Sequence, residues 1–353
     1  MPTIFDHVKY YRNRSFKEVP FSDVDALALT ELTFLKLDAD IVAQLPLTLE
    51  ELGKLYFTKT KKKDLKGKYI VYISSYNLFL SMYDAPRYKN IIVSDYAKEE
   101  DKNTQFGAIT FRYFSKWVYV NFEGTNDSIT GWKEDFLLAS EFPLVCQHLA
   151  SEYLKNTIKL TDKNIYVGGH SKGANLAIAS VLLAPPIYRQ KITKIYDFDG
   201  PGFQEKVFNS KAYQSIIKKI VKYVPELSCV GMILYSVPNP IAVKSNARGI
   251  LQHDGCSWEC YGSYLVEGEL NSRSLVFRDE IKGFVHANSE ESLDKFVKTV
   301  FSVLEAAEIT SIEKITISKI VKGINYAKEL KTDEETKNKL IKLLNMILSL
   351  YKI

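Results

Sequence analysis

The pentapeptide Gly169-His170-Ser171-Lys172-Gly173 lies between a short buried strand predicted at residues 164–168 and a helix predicted at residues 172–183. A strand that turns this sharply into a helix gives the residue at the bend strained backbone angles. Glycine is then needed at the flanking positions, where any side chain would clash. The chain is therefore expected to present Ser171 at a tight bend. The alternative interpretation is a glycine-rich packing turn in which the serine has no role.

Further strands are predicted on both sides of this bend. A β-hairpin is expected at residues 105–122, a short strand at 69–74, and two more strands at 194–198 and 220–224. The alternation of strand, helix and strand predicts an α/β fold with a mostly parallel central sheet and helices on both faces. In such sheets the active site lies beyond the carboxyl ends of the strands.

The chain has 353 residues, a length that suits two domains or one enlarged α/β domain. Helical periodicity at 23–37, followed by a lysine-rich stretch at 59–68, predicts an N-terminal helical extension at residues 1–66. The α/β domain is assigned to residues 67–308. Residues 309–353 are assigned to a C-terminal helical extension.

Two amphipathic segments near the carboxyl end carry capping-box spacing. Asn288 and Glu291 precede the first segment, and Thr332 and Glu335 precede the second. Lysines surround the apolar stripe of the last helix. We expect this helix to pack on the core, and the alternative is peripheral contact with a membrane surface.

Composition and charge narrow the class of protein. Apolar residues make up 46% of the chain and charged residues 25%, which excludes disordered and coiled-coil proteins. The net charge of +5 is spread over a large surface, so no nucleic-acid partner is expected. The charged first twenty residues do not fit a signal peptide, and the longest uncharged run is too short for a membrane span. A cytoplasmic protein is expected.

Four cysteines are too few for a disulfide scaffold. Cys256 and Cys260 lie close in sequence to His253, which suggests a zinc site. A second pair of ligands at the usual spacing is missing, so no metal and no organic cofactor are expected.

A polar loop follows the strand predicted at 117–122 and reads Glu123-Gly124-Thr125-Asn126-Asp127. A loop after a central strand, upstream of a serine at a strand-to-helix bend, is where a fold of this kind places a second oxyanion donor. The main-chain N–H groups of Thr125 and Lys172 are therefore the candidates for the oxyanion hole. In the alternative interpretation, Thr125 only caps a helix.

Three parts of the sequence together resemble the fungal-type (class 3) lipases and their bacterial relatives. They are the segment 122–125, the residues Trp132 and Asp135, and the pentapeptide at 169–173. The resemblance covers about residues 69–265. It implies an α/β-hydrolase fold, a serine nucleophile and an ester or lipid substrate. The chain departs from the family at Glu123, where the lipases usually have arginine, and at Lys172, near which they have leucine.

A serine nucleophile needs a histidine as its base, and the fold places the acid and then the histidine after the serine. His253 and His286 are the two histidines that follow Ser171 at a distance, and His253 is preferred because it lies in a loop before a strand-like segment. His286 is the alternative.

Asp199 is the preferred acid because it follows the strand at 194–198 and a Gly-Pro-Gly turn comes next. Glu226 is the alternative, since the resemblance implies an acid one strand later. Asp254 is poorly placed to orient the ring of its own neighbour.

These observations predict a serine hydrolase that cleaves carboxylic esters through an acyl-enzyme on Ser171, with His253 as base and Asp199 as acid. The alternative is a degenerate hydrolase fold that binds a lipid or a partner without catalysis. Residues 228–246 are expected to form either a lid or pocket wall, or a buried strand and loop.

Overall fold

Eight strands form one sheet in which every strand lies beside its neighbours in sequence. The computed structural model describes residues 1–65, 70–101, 104–126, 128–309 and 316–351. The first four strands pair antiparallel and the last five pair parallel, with β4 common to both groups. They are β1 (Leu47–Thr48), β2 (Ile92–Glu100), β3 (Gln105–Tyr113), β4 (Trp117–Phe122), β5 (Ile165–His170), β6 (Ile192–Phe198), β7 (Ile220–Pro225) and β8 (Ile241–Val243).

The helices fall into three groups along the chain. The N-terminal group is α1 (Ile4–Tyr11), α2 (Asp23–Glu31), α3 (Ala39–Val42), α4 (Leu49–Lys59) and α5 (Ile70–Met82). The helices between strands are α6 (Ile129–Leu137), α7 (Val145–Thr157), α8 (Lys172–Leu183), α9 (Pro186–Lys191), α10 (Glu205–Phe208) and α11 (Lys211–Ile216). A small hairpin of β9 (Cys260–Tyr261) and β10 (Tyr264–Leu265) precedes α12 (Ser272–His286), α13 (Glu290–Ala306), α14 (Ile317–Glu329) and α15 (Glu334–Tyr351).

One face of the sheet is covered by the helices that connect the parallel strands. Right-handed connections between sequential parallel strands all cross the same face. Because strand side chains alternate, Val118 and Val120 of β4 point to this face and join a core with α7, α8 and α11. This core accounts for the apolar segments that the sequence places between strands.

The opposite face is covered by the N-terminal helices. Trp117 and Tyr119 of β4 point to this side and pack in a second core with Leu27 of α2 and Phe79 of α5. Residues from α1 and α4 belong to the same core. The N-terminal helices therefore supply one of the two helical layers that the α/β fold requires, and the prediction of a mostly parallel sheet between two helical layers is confirmed.

A buried ion pair holds the N-terminal helices together. Asp25 of α2 accepts hydrogen bonds from Nε and Nη2 of Arg87, at 2.9 and 2.6 Å, and from the hydroxyl of Tyr88 at 2.7 Å. His7 of α1 lies 3.2 Å from the same carboxylate. Burial would raise the pKa of Asp25, but hydrogen bonds from His7 and Arg87 hold it well below its ordinary value.

Several sequence predictions of local structure are confirmed. The hairpin at 105–122 is β3 and β4, and the helix after Ser171 is α8. The predicted strand at 69–74 is wrong, because residues 70–82 form α5, while Tyr69 lies outside the described residues. The apolar residues of this segment follow one another without a polar break, as they do both in a buried strand and in a helix that is apolar on all sides. Hydrophobic periodicity therefore did not distinguish a strand from a helix here.

The predicted caps of the last helices are each displaced by one residue. Ser289, not Asn288, caps α13 by accepting from the N–H of Ser292 at 3.2 Å. Asp333, not Thr332, accepts from the N–H of Thr336 at 2.8 Å before α15. Each segment has two adjacent residues that could cap the helix. The residue at which the helix begins, which depends on how its apolar face packs, decides which of the two is the N-cap.

The C-terminal helices share a smaller core of their own. Val300 of α13, Ile320 of α14, and Leu340 and Leu344 of α15 are buried together. The described part of the apolar stripe of α15 thus packs against neighbouring helices. Within the described residues, no helix is both long enough and apolar enough to cross a bilayer.

Replacing Asp25 by alanine should lower the free energy of unfolding by about 3–5 kcal/mol, because it leaves the Arg87 guanidinium buried without its carboxylate. Urea denaturation followed by circular dichroism measures the change. Asp294→Ala, which removes an exposed ion pair with Lys298, is the control and should have little effect. Equal effects of the two substitutions would contradict this role for Asp25.

Candidate active site

Ser171 lies at the bend between β5 and α8 with a positive φ of 57° and a ψ of −132°. A Cβ atom on Gly169 would lie 2.1 Å from the carbonyl carbon of Gly173, and one on Gly173 would lie 2.1 Å from the carbonyl oxygen of Phe122. Neither position can hold a side chain. The two glycines thus allow strand and helix to approach closely enough for the serine to stand at the apex.

His253 and Asp199 form a hydrogen-bonded pair. Nδ1 of His253 lies 2.7 Å from Oδ2 of Asp199, and the aspartate directly follows β6. Oδ1 of Asp199 accepts from the hydroxyl of Ser228 at 2.5 Å and from the N–H of Gly231 at 3.1 Å. Burial would raise the pKa of Asp199, but its bonds to His253 and Ser228 hold the pKa below its ordinary value. The ionised carboxylate therefore accepts a hydrogen bond from the N–H at Nδ1, and Nε2 carries the lone pair of the ring.

Ser171 follows β5 and Asp199 follows the neighbouring parallel strand β6, so the serine and this pair lie at the same edge of the sheet. Among the described residues, no hydrogen bond joins the Ser171 hydroxyl to His253. The neighbouring residue His170 has its ring 4.7 Å from the ring of His253. Hydrogen bonds between nucleophile and base are commonly long before substrate binds. The arrangement therefore brings the serine, the imidazole and the carboxylate to one edge of the sheet.

Two buried side chains hold the segment that carries His253. Nε2 of His170 donates to the carbonyl of His253 at 2.7 Å, and the indole N–H of Trp258 donates to the carbonyl of Gln252 at 2.8 Å. Burial lowers the pKa of His170 to about 3, so its ring is neutral. The sequence analysis did not assign either residue a role. The position of His170 at the carboxyl end of a buried strand was the available signal.

The alternative candidates lie in other surroundings. His286 ends α12, where it is exposed, hydrogen-bonds the hydroxyl of Tyr235 and lies 3.6 Å from Glu205. Glu226 accepts a hydrogen bond from the N–H of Glu269, in the segment that leads to α12. Asp254 accepts from the N–H of Cys256. Among these residues, His253 and Asp199 are the histidine and carboxylate that form a hydrogen bond at the edge of the sheet where Ser171 lies.

The loop after β4 lies against the bend at Ser171. A Cβ atom on Gly124 would lie 2.7 Å from the carbonyl of His170 and 3.4 Å from Cβ of Ser171. The hydroxyl of Thr125 donates to Oδ2 of Asp135 in α6 at 2.6 Å. In the described part of the chain, the N–H groups of Thr125 and Lys172 donate to no backbone carbonyl. Both groups are thus available near the serine, while Asp127 of the same loop lies outside the described residues.

The two departures from the lipase pattern each have an electrostatic partner. Glu123 is buried, and both of its carboxylate oxygens accept from Nζ of Lys98, at 2.7 and 2.9 Å. Lys172 is buried and donates to Oε2 of Glu134 at 2.8 Å and to the carbonyl of Gln105 at 2.9 Å. The first pair ties the loop after β4 to β2, and the second ties the bend to α6 and β3.

An apolar cavity of about 700 Å³ opens beside this edge of the sheet. His253 and Asp135 line it, so the cavity reaches the imidazole of the His253–Asp199 pair. Helices α12, α13 and α15 contribute much of its wall. Its apolar lining includes Phe136, Ala139, Ile233, Phe277, Phe284 and Val297. Its volume and lining are typical of a site for an apolar small molecule.

The segment 228–246 contributes both a cavity wall and a short, partly buried strand. Cys229, Val230 and Ile233 line the cavity, and β8 adds the last strand of the sheet. Both interpretations of this segment in the sequence analysis thus describe part of it.

The sheet, the bend at Ser171 and the flanking layers define a lipase-like protein of the α/β-hydrolase class. The chain belongs to the Mbeg1-like family, whose profile matches residues 82–302. The resemblance to lipases inferred from the motifs is thus confirmed at the level of the family. No curated protein sequence matches the chain.

Two solved lipase structures are similar to the chain at 16% sequence identity. M37 lipase has a TM-score of 0.34, and the match covers 60% of this chain and 70% of that lipase. The lipase from Rhizopus microsporus var. chinensis has a TM-score of 0.30, and the match covers 56% of this chain and 72% of that lipase.

Asp135→Asn should make the stability of the protein less sensitive to pH between about pH 4.5 and 7.5. Burial raises the pKa of Asp135 from 3.8 to about 6, so the folded chain holds this proton more tightly than the unfolded chain. The free energy of unfolding therefore falls as the pH rises through that range. The wild type should lose about 2 kcal/mol more than the variant over the range, as measured by urea denaturation at each pH. Identical pH profiles would contradict the raised pKa.

Proposed function

We propose that the protein is a serine hydrolase that cleaves carboxylic esters through an acyl-enzyme on Ser171. The observation that carries this proposal is the 2.7 Å hydrogen bond between His253 and Asp199, formed at the edge of the sheet where Ser171 has strained backbone angles. A buried, ionised carboxylate on Nδ1 leaves the opposite nitrogen of the ring free to accept the serine proton. Membership of a lipase-like family supports the same chemistry.

In the proposed reaction, Oγ of Ser171 attacks the ester carbonyl carbon while Nε2 of His253 takes the hydroxyl proton. The N–H groups of Thr125 and Lys172 stabilise the oxyanion, and Lys172 contributes the positive end of α8. When the intermediate collapses, the imidazolium gives its proton to the departing alcohol. Water then attacks the acyl-enzyme by the same steps, and the acyl group leaves as a carboxylic acid.

The apolar cavity supports an acyl chain as the part of the substrate that it binds. Its lining offers few polar groups, and its two cationic residues, Lys339 and Lys342, come from α15. Burial of methylene groups against such a wall stabilises the complex by about 0.8 kcal/mol for each group. We therefore propose a small-molecule or lipid ester as the substrate. We also propose the cytoplasm as the location of the protein and peripheral membrane contact through α15.

A fluorophosphonate probe tests the proposal, because it labels only a serine that a base has activated. The wild type should be labelled, Ser171→Ala should not, and His253→Ala should be labelled at least about 100-fold more slowly. His148→Ala is the matched control, since this histidine is exposed on α7, and it should be labelled at the wild-type rate. Ester hydrolysis should fall on the order of 10⁴-fold or more in Ser171→Ala.

Absence of labelling in a folded wild type would overturn catalysis. That result would favour the second candidate function, a degenerate hydrolase fold that binds a lipid or a partner, which the apolar cavity supports independently. Equal labelling of His253→Ala and the wild type would instead show that another group activates Ser171.

Ala139→Trp should shorten the acyl chains that the protein accepts. Ala139 lines the cavity and is not one of the proposed triad residues, so the larger side chain removes space without replacing a catalytic group. Turnover of a p-nitrophenyl palmitate should fall by at least about tenfold, while turnover of the acetate should stay within about threefold. A parallel loss with both esters would show that the cavity does not bind the acyl chain.

A further inference from the structure

Behind the His253 segment, three side chains with metal-binding atoms meet, two of them buried and one half-buried. Glu31 ends α2, and Asp254 and Cys256 follow His253; one carboxylate oxygen from each acid and the sulfur of Cys256 all lie within 4.8 Å of one another. Glu31 is 1% exposed and Cys256 is 6% exposed. The cluster joins the N-terminal helical layer to the segment that carries the proposed base.

A fourth donor atom lies beside Glu31 of this cluster. Nδ1 of His170 lies 3.4 Å from Oε1 of Glu31, and neither atom has a hydrogen-bond partner among the described residues. Because Nε2 of His170 donates its proton to the carbonyl of His253, Nδ1 carries a lone pair. A lone pair therefore faces a carboxylate oxygen in a buried space. Such an arrangement is costly unless a cation or a proton lies between the two atoms.

We propose that Glu31, His170, Asp254 and Cys256 bind one zinc ion. A thiolate, an imidazole and two carboxylates are ligands that zinc accepts in tetrahedral sites. Bonds of about 2.0–2.3 Å would place the ligand atoms about 3.3–3.8 Å apart, so the four side chains would close around the ion as it binds. Binding displaces the Cys256 thiol proton, and any carboxyl proton, to solvent.

The surroundings of His170 match those of a metal ligand. Zinc-bound histidines usually donate their second ring N–H to a carbonyl or carboxylate, and His170 donates to His253. Four protein ligands leave no open position, so the ion would have a structural role. It would fix α2 against the His253 segment. The ligand set differs from the Cys256 and Cys260 pair considered in the sequence analysis, because Cys260 lies outside the cluster.

Metal content of the full-length chain tests the site. Protein produced with added zinc, and purified without chelators, should contain about one zinc per chain by inductively coupled plasma mass spectrometry. Cys256→Ala should contain at least about tenfold less zinc. Cys260→Ala is the matched control, since Cys260 is also a buried free cysteine, and it should keep the wild-type content.

Cobalt provides a readout that does not depend on enzymatic activity. Wild type and Cys260→Ala loaded with Co²⁺ should show a near-ultraviolet charge-transfer band from the thiolate, and Cys256→Ala should lack it. Glu31→Gln serves as a second variant if Cys256→Ala does not fold, and it should bind zinc at least about tenfold more weakly. A folded wild type without zinc and without the cobalt band would overturn the proposal, as would equal zinc content in Cys256→Ala and wild type. Fluorophosphonate labelling of that protein would still test the hydrolase proposal separately.

Discussion

The structure depends on the sequential order of the strands in its sheet. Right-handed connections between neighbouring parallel strands all cross one face, which leaves the other face without cover. An apolar sheet face exposed to water is unstable, so another part of the chain must bury it. Helices α1, α2, α4 and α5 do so, and the buried pair of Asp25 and Arg87 holds them together.

This layering also positions the candidate site. Glu31, at the end of α2, lies 3.4 Å from His170, and His170 donates to the carbonyl of His253. The N-terminal layer thus lies directly behind the segment that carries the proposed base. On the other side, α12, α13 and α15 build the wall of the cavity that His253 lines. Both terminal groups of helices therefore contribute to one site, although they are far apart in sequence.

Three ion pairs near the carboxyl edge of the sheet contain buried charges. Lys172 contacts Glu134, Lys222 donates to Asp197 at 2.8 Å, and Glu123 accepts from Lys98. A buried charge without a partner destabilises a fold by several kcal/mol, so these contacts keep the loops around Ser171 in one arrangement. They also explain how the chain accommodates Glu123 and Lys172, where the fungal-type lipases have other residues.

Local sequence patterns determined much of the fold. The glycines around Ser171, the hairpin at 105–122 and the helix after the bend follow from steric limits and periodicity over short stretches, and the structure has all three. The same reasoning predicted a strand where the structure has α5, because a run of apolar residues without polar ones shows neither helical nor strand periodicity. It also selected Asp199 and His253 as candidates from their places after strands and in loops.

Only the tertiary structure decided which of these residues meet. The pairing of His253 with Asp199, and the separate surroundings of His286 and Glu226, depend on how loops from different strands converge at one edge. The contact of Glu31 with His170 crosses 139 residues of sequence, and no local pattern encodes it. Hydrophobic periodicity determines which face of each segment is buried. Long-range packing determines which side chains meet when those faces pack together.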